Sequence, residues 1–285
     1  MMPSNYKDLK SYAKINLGLK ILDLLPDGYH SISTIMQEID FYDLVTINPI
    51  EKLEIKINCT GPVLVPEDSS NLCFKATQLI FEHYKCNHGI HIILNKNIPV
   101  GAGLGGGSSN AAYTLCALNE LFNLKISNSD LHQLAFQLGC DVPFFINGGI
   151  QFSEGKGEQL SPLSINLNKY YVLLILPKFS VSTKWAYSFF KNDLCKRFDS
   201  NKFRSFQQSV DWTLFENDFE KVINLTYPEI NKIKDILVKQ GSLFASLSGS
   251  GSAMFGIFDD FLKVDLAHQA LKTYNCHIVR PINKI

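Results

Sequence analysis

Apolar and polar residues alternate without a slip from Lys14 to Ile21. Ile15, Leu17, Leu19 and Ile21 share one face, and Lys14, Asn16, Gly18 and Lys20 the other. A period of two predicts a half-buried strand, with its polar face turned to water. Asp27-Gly28 then signals a turn, Thr34 to Ile39 reads as a second extended segment, and strands are predicted from about Leu44 and about Leu53. Short connections between these segments make the opening sheet antiparallel. Asp68-Ser69-Ser70-Asn71 caps a helix reaching about Tyr84, and Ile90 to Leu94 forms a further strand. Beyond it Ala111, Leu115, Leu118 and Phe122 recur at steps of four, three and four, the spacing of one apolar helix face. Leu131, Leu134, Ala135 and Leu138 give a second amphipathic helix, capped by Ser129 and ended at Gly139. Gly148-Gly149 and Glu154-Gly155-Lys156-Gly157 bracket a strand that closes the first half.

The second half opens with a buried strand, Tyr170 to Leu176, followed by helices near Thr183 to Phe190, Phe215 to Leu225 and Glu229 to Gln240. Strands Leu243 to Leu247 and Ala253 to Phe258 flank Ser248-Gly249-Ser250-Gly251-Ser252, before a last helix and a strand near Cys276 to Val279. That order describes a split βαβ sandwich. The Ser/Gly loop reads equally as a flexible hairpin or as a set of backbone donors. At 285 residues, 46% of them hydrophobic, the chain can fill two cores, and the division expected is 1–158 and 159–285.

Charge narrows the partner. With 27 basic and 27 acidic side chains the net charge is zero, which provides no field for nucleic acid or an anionic membrane, so a small-molecule partner is expected. The seven cysteines are odd in number and never form C-x-x-C, which argues against a disulfide framework or zinc knuckle and for the cytoplasm. Met1 to Lys10 lacks an apolar core, and no apolar run reaches the length of a membrane span.

The densest chemical signal is Pro99-Val100-Gly101-Ala102-Gly103-Leu104-Gly105-Gly106-Gly107-Ser108-Ser109-Asn110, leading straight into a helix. A helix start gathers unpaired N–H groups and the positive dipole end, and glycines let a large anion approach, so phosphate is favoured. The alternative is a turn followed by an ordinary Ser or Asn cap. A Walker loop is excluded because Gly107 stands in the lysine position. Gly101, Gly103 and Gly106 satisfy G-x-G-x-x-G, but Glu120 falls inside the following helix and is poorly placed as a ribose acid. No His-Arg-Asp or Asp-Phe-Gly tripeptide supports a protein kinase. His83, Cys86, His88 and His91 invite a metal reading, but their spacing fits no ligand pattern, and the sequence names no metal ligand. Taken alone, Lys14 reads as a solvated strand lysine and Asp141 equally as a helix cap or a functional acid.

Together these pieces resemble the GHMP small-molecule kinases. The early Ala13-Lys14-Ile15-Asn16-Leu17, the glycine loop and the late Ser248 to Ala253 stand in family order. Asp27-Gly28-Tyr29-His30, Gly139-Cys140-Asp141-Val142-Pro143 and Asn217-Asp218-Phe219-Glu220 match one branch of the family. That branch phosphorylates the 2-hydroxyl of a cytidine diphosphate-linked methylerythritol in non-mevalonate isoprenoid precursor synthesis. Cys140 stands where alanine is usual there. The resemblance implies an α+β fold, with an N-terminal domain like ribosomal protein S5 domain 2 and a C-terminal ferredoxin-like domain. It further implies ATP as co-substrate, Mg²⁺, and a monomer or weak homodimer.

By the same resemblance Asp141 is the general base and Lys14 lies beside it, while Asn16 positions the hydroxyl. Tyr29 stacks on cytosine, His30 bonds its Watson–Crick edge, and Tyr187, or failing it Trp185, gives the second ring. Asn71, Lys96 and the loop from Pro99 to Asn110 lie near ATP, and the late Ser/Gly loop closes over the substrate diphosphate.

Overall fold

The alternating stretch near the N-terminus forms a strand longer than its pattern, β1 (Leu9–Leu24), and the computed structural model describes residues 9–190 and 210–284. Next come β2 (His30–Ile50), β3 (Ile55–Thr60), α1 (Leu72–His83), β4 (Gly89–Asn95) and α2 (Gly106–Leu121). Then follow α3 (Asn128–Leu138), α4 (Val142–Asn147), β5 (Ile150–Glu154), β6 (Gln159–Pro162), β7 (Tyr171–Leu176) and α5 (Thr183–Tyr187). The described chain ends with α6 (Glu220–Thr226), α7 (Glu229–Lys239), β8 (Phe244–Leu247), β9 (Met254–Phe258), α8 (Phe261–Ala270) and β10 (Asn275–Val279). Among the described residues no helix is long and apolar enough to cross a membrane.

By compactness these residues divide into two units. The first takes residues 9–13, 41–100 and 105–147, and the second takes 14–40, 101–104, 148–190 and 210–284.

In the first unit the later part of β2 pairs antiparallel with β4, and β4 pairs parallel with β3. The expected all-antiparallel opening is thereby corrected, because α1 carries the chain across between β3 and β4, the connection a parallel pair needs. Helix α2 packs against α1, α3 and α4, burying Ala111, Leu115 and Leu118 as the apolar spacing predicts. Ser127, not Ser129, caps α3 by accepting from the Asp130 N–H, and Gly139 follows its last turn.

In the second unit the early part of β2 pairs with β5, and β5 turns back onto β6, a strand the pattern did not announce. A separate antiparallel sheet has the order β10-β7-β9-β8. Counted along the second half this is last, first, third, second, the split βαβ arrangement predicted from element order. Helices α7 and α8 pack on it, and Leu173, Ile175, Leu237, Leu247, Phe258 and Val264 lie in its core.

Two predicted segments, Thr34 to Ile39 and the strand from Leu44, are one continuous strand, β2. Asp40 and Asp43 mimic a turn between them, but the Asp43 carboxylate is satisfied inside the first unit and needs no water.

Candidate active site

Lys14 and Asn16 lie on the polar face of β1, yet each is only 3% exposed. The expected solvated face is therefore a covered one, and two loops of the second unit cover it. The Lys14 N–H donates to the Leu104 carbonyl at 3.0 Å, and the Asn16 N–H to Ser248 Oγ at 3.3 Å. Ser248 Oγ in turn donates to the Gly103 carbonyl at 2.8 Å, while the Ala253 N–H reaches the Ala102 carbonyl at 3.1 Å. Gly103 has φ 78°, and a Cβ there would overlap the Ser248 carbonyl, so only glycine lets these loops meet. Three stretches distant in sequence thus form one patch: the Lys14 strand, the first part of the glycine loop and the Ser/Gly loop.

Within that patch Lys14 Nζ donates to Asn16 Oδ1 at 2.6 Å. Asn16 Nδ2 donates to Thr34 Oγ1 at 2.8 Å, and Thr34 Oγ1 donates to the Gly18 carbonyl at 2.6 Å. Sequence reasoning passed over Thr34, because nothing in its spacing on β2 states which residue of β1 it faces.

The Asn217 to Glu220 motif ties this patch to the core. Asn217 Nδ2 donates to the carbonyls of Leu247 and Gly249 at 3.0 and 2.9 Å, holding both ends of the turn into the Ser/Gly loop. Glu220 accepts from the Leu247 N–H and Ser246 Oγ. Asp218 accepts from the Ile21 N–H at 3.0 Å and pairs with Lys221 at 2.8 Å and Lys20 at 3.5 Å. Burial works to raise the Asp218 pKa, but the Lys221 ammonium, the Ile21 N–H and Lys20 outweigh it and hold the carboxyl below its ordinary 3.8.

The aromatic candidates lie in the same unit. Tyr29 is 57% exposed, its ring under Lys156 Nζ at 5.0 Å, and Lys156 also pairs with Asp27. The Lys156 ammonium, helped by the Tyr29 N–H, lowers the pKa of Asp27. His30 and Tyr187 stack on one another, with centroids 5.3 Å apart and planes 18° apart, and Tyr187 meets Phe219 edge-on. His30 Nε2 lies 2.7 Å from the Phe190 carbonyl. A carbonyl only accepts, so Nε2 carries a proton, and Nδ1 is the ring nitrogen left to face a ligand. Trp185 turns the other way, edge-on to Phe189 and Tyr227.

In the first unit α2 begins at Gly106. Its cap is Gly105 at φ 67°, which brings no side-chain oxygen to the first N–H groups, so the alternative of an ordinary Ser or Asn cap does not hold. A helix start left open in this way suits an anion. Ser109 is fully buried with Oγ 2.7 Å from Ser11 Oγ, and Asn110 Nδ2 donates to Ser11 Oγ and Asp43 Oδ2, each at 2.9 Å. These two side chains shape the loop from inside, whereas Ser108 is half-buried. Pro99 is half-buried, and Val100 and Gly101 are exposed.

Lys96 is 2% exposed and bonded to Asp43, which also accepts from the N–H groups of Asn97 and Ile98 at 2.7 and 2.8 Å. Burial pushes the Lys96 pKa down, and Asp43 opposes it. A Cβ on Gly106 would press on Ile98 and Lys96 Nζ, so this lysine forms the floor beneath the helix start. Asn71 caps α1 through the Cys73 N–H, and the next residue, Leu72, lies against Gly107. Asp141 is half-buried and immediately precedes α4, which packs on α2. Asp43 was missed in the sequence, although an aspartate inside an otherwise apolar strand is a signal of buried pairing.

Among the described residues no group of three His, Cys, Asp or Glu side chains could hold a metal ion. His91 Nε2 instead contacts Asn58 Oδ1 at 2.8 Å.

Comparison with known proteins adds matches of three kinds, to family models, to relatives and to solved structures. The models described as GHMP kinases N terminal domain and GHMP kinases C terminal match residues 71–149 and 197–276. The 4-diphosphocytidyl-2-C-methyl-D-erythritol kinase of Prosthecochloris aestuarii is 42% identical over 269 residues, covering 92% of this chain and 93% of that protein. The protein of the same name from Chloroherpeton thalassium is 40% identical, covering 93% and 94%. A solved 4-(cytidine 5'-diphospho)-2C-methyl-D-erythritol kinase superposes with TM-score 0.79 at 28% identity, over 96% of this chain and 99% of that one. A homoserine kinase from Cytophaga hutchinsonii, at TM-score 0.74 and 19% identity over 98% and 97% of the two chains, shares the fold.

Proposed function

The chain belongs to the GHMP kinases, and from that premise we propose that it transfers the γ-phosphoryl group of ATP to the 2-hydroxyl of 4-diphosphocytidyl-2-C-methyl-D-erythritol. It is a small-molecule kinase of isoprenoid precursor biosynthesis. The observation that carries the reading is the covered patch of the second unit, where Asn16, Gly103 and Ser248 are bonded around Lys14. A strand lysine that merely met water would need no such enclosure.

In the reaction Asp141 takes the proton of the 2-hydroxyl as its oxygen bonds to the γ-phosphorus. The bond from that phosphorus to the bridging oxygen breaks, leaving ADP and the 2-phosphate. General-base help of this kind contributes roughly 10²- to 10⁴-fold. The Lys14 ammonium steadies the developing charge, and Asn16 holds the ammonium. The roles given to Lys14 and Asp141 rest on their motifs, Ala13 to Leu17 and Gly139 to Pro143.

The open N–H groups after Gly105 take ATP phosphate, and Lys96 with Asp43 supports them from below. A magnesium ion asks for oxygen ligands and few protein ones, and the half-buried Ser108 beside nucleotide phosphates fits that demand. When bound it neutralises phosphate charge. Tyr29 and Tyr187 give cytosine its stacking faces, and His30 Nδ1 accepts from the exocyclic amine.

The family matches fall on either side of residue 158, which supports family domains 1–158 and 159–285. Six cysteines among the described residues are free thiols, which supports a reducing compartment, the cytoplasm.

The test is label transfer from γ-labelled ATP to this substrate, to homoserine and to mevalonate. Label should enter the cytidine compound. Preferential labelling of either other alcohol would move the substrate elsewhere in the family.

A further inference from the structure

We propose that Thr34 is a positioning residue for the phosphoryl transfer, its hydroxyl fixing the amide of Asn16 and, through it, the ammonium of Lys14. The proposal rests on the reading of Lys14 as catalytic. A hydroxyl has one proton, and that of Thr34 is committed to the Gly18 carbonyl at 2.6 Å. Toward Asn16 it can therefore offer only lone pairs, so the group it meets at 2.8 Å must be the amide nitrogen. The other end of the amide, Oδ1, is then turned to Lys14 Nζ at 2.6 Å. A reversed amide would set N–H against the ammonium and oxygen against the Thr34 oxygen, two repulsions in place of two bonds.

Rigid backbone stands at both ends of this chain of bonds. Thr34 is fully buried and registered opposite Ser153 by the pairing of β2 with β5. Gly18 belongs to β1, two residues beyond Asn16. A β-branched side chain has few rotamers, so the hydroxyl direction is set by the strand itself. The Asn16 N–H, bonded to Ser248 Oγ, anchors the same residue from its backbone. Lys14, by contrast, has a long flexible stem with four rotatable bonds. An ammonium on such a stem needs a fixed acceptor if it is to meet a transferring phosphoryl group in one place.

The experiment compares Thr34→Val, which keeps shape and loses the hydroxyl, with Thr34→Ser, which keeps the hydroxyl, alone and with Lys14→Met. For Thr34→Val, kcat per folded molecule should fall about 10- to 100-fold, the scale of a small misplacement, with both KM values nearly unchanged. Thr34→Ser should recover most of kcat, and Thr34→Val should cost nothing further when added to Lys14→Met. In the unsubstituted protein, ¹⁵N NMR should show the Asn16 side-chain amide as a single slowly exchanging pair, a readout that stands even if Thr34→Val does not fold.

Wild-type kcat in Thr34→Val overturns the proposal. So does a Thr34→Ser as impaired as Thr34→Val, an equal loss in the Lys14→Met background, or an Asn16 amide that interchanges between two settings. Wild-type turnover in Lys14→Met instead removes the reading of Lys14, and the proposal with it.

Discussion

Lys14 and Lys96 are almost equally buried, at 3% and 2% exposure, and different networks surround them. Lys96 meets the Asp43 carboxylate, which also gathers the N–H groups of Asn97 and Ile98 and the amide of Asn110. Charge and hydrogen bonds close upon one another there, and the result is a floor under the helix start at Gly106. Lys14 meets the Asn16 amide oxygen. The amide is a directional acceptor and sets where the ammonium sits. Depth of burial therefore does not by itself say what a buried lysine is for: the proposed function gives Lys14 the chemistry and Lys96 the support of the phosphate loop.

The comparison can be broken in graded ways. The largest effect is expected at the proposed base, where Asp141→Asn should lower kcat by roughly 10²- to 10⁴-fold. Melting temperature and ADP affinity, by calorimetry, should hold. Undiminished turnover would make Asp141 only the residue ahead of α4.

Asp43→Ala works on the closed network instead. It leaves Lys96 buried without its carboxylate, and breaking a buried pair costs about 3–5 kcal/mol. Denaturant unfolding should show that loss, while the fraction that remains folded keeps its kcat. A stable but inactive Asp43→Ala protein would place this network in the chemistry and dissolve the contrast.

Tyr29→Ala tests a contact that needs no charge. Base stacking is worth about 1–3 kcal/mol. The KM for the cytidine substrate should rise by about tenfold or more, and that for ATP should stay. An effect on ATP alone would move Tyr29 out of the cytidine site.

The smallest effect is a matter of pH. Asp218 has a folded pKa below its ordinary 3.8, so the unfolded chain binds its proton first as pH falls. The stability it contributes is complete above the unfolded value and is lost as pH drops through the folded one. Asp218→Asn should therefore flatten the acid limb of a plot of unfolding free energy against pH. An unchanged limb would mean that Lys20 and Lys221 do not favour the charged carboxylate.

Much of this was legible in the sequence, and the gaps have physical causes. Most of the second half could be read because its strands and helices are short and amphipathic or apolar, but the helix predicted from Phe215 starts only at Glu220, because Glu216 and Asp218 bond instead to the backbone of Leu19 in β1. The long strand β2 was split on paper because Asp40 and Asp43 look like punctuation. Asp40 is indeed exposed, but the burial of Asp43 depends on partners such as Lys96, 53 residues away. The polar face of β1 was assigned to water because local alternation cannot announce a cover that arrives with Ser248, 232 residues after Asn16. Thr34 was invisible for the same reason. The motif Asn217 to Glu220 could be matched but not explained until its bonds to β1 and to the approach of the Ser/Gly loop were seen.

The most direct measurement sets Lys14→Met beside Lys96→Met, each assayed for phosphoryl transfer to 4-diphosphocytidyl-2-C-methyl-D-erythritol per folded molecule and for melting temperature. Lys14→Met should lose roughly 10²- to 10³-fold in kcat, the scale of one transition-state charge contact, and melt within a few degrees of the unsubstituted protein. Lys96→Met should melt well below it and keep its kcat. A Lys14→Met enzyme that turns over at the unsubstituted rate would contradict the account.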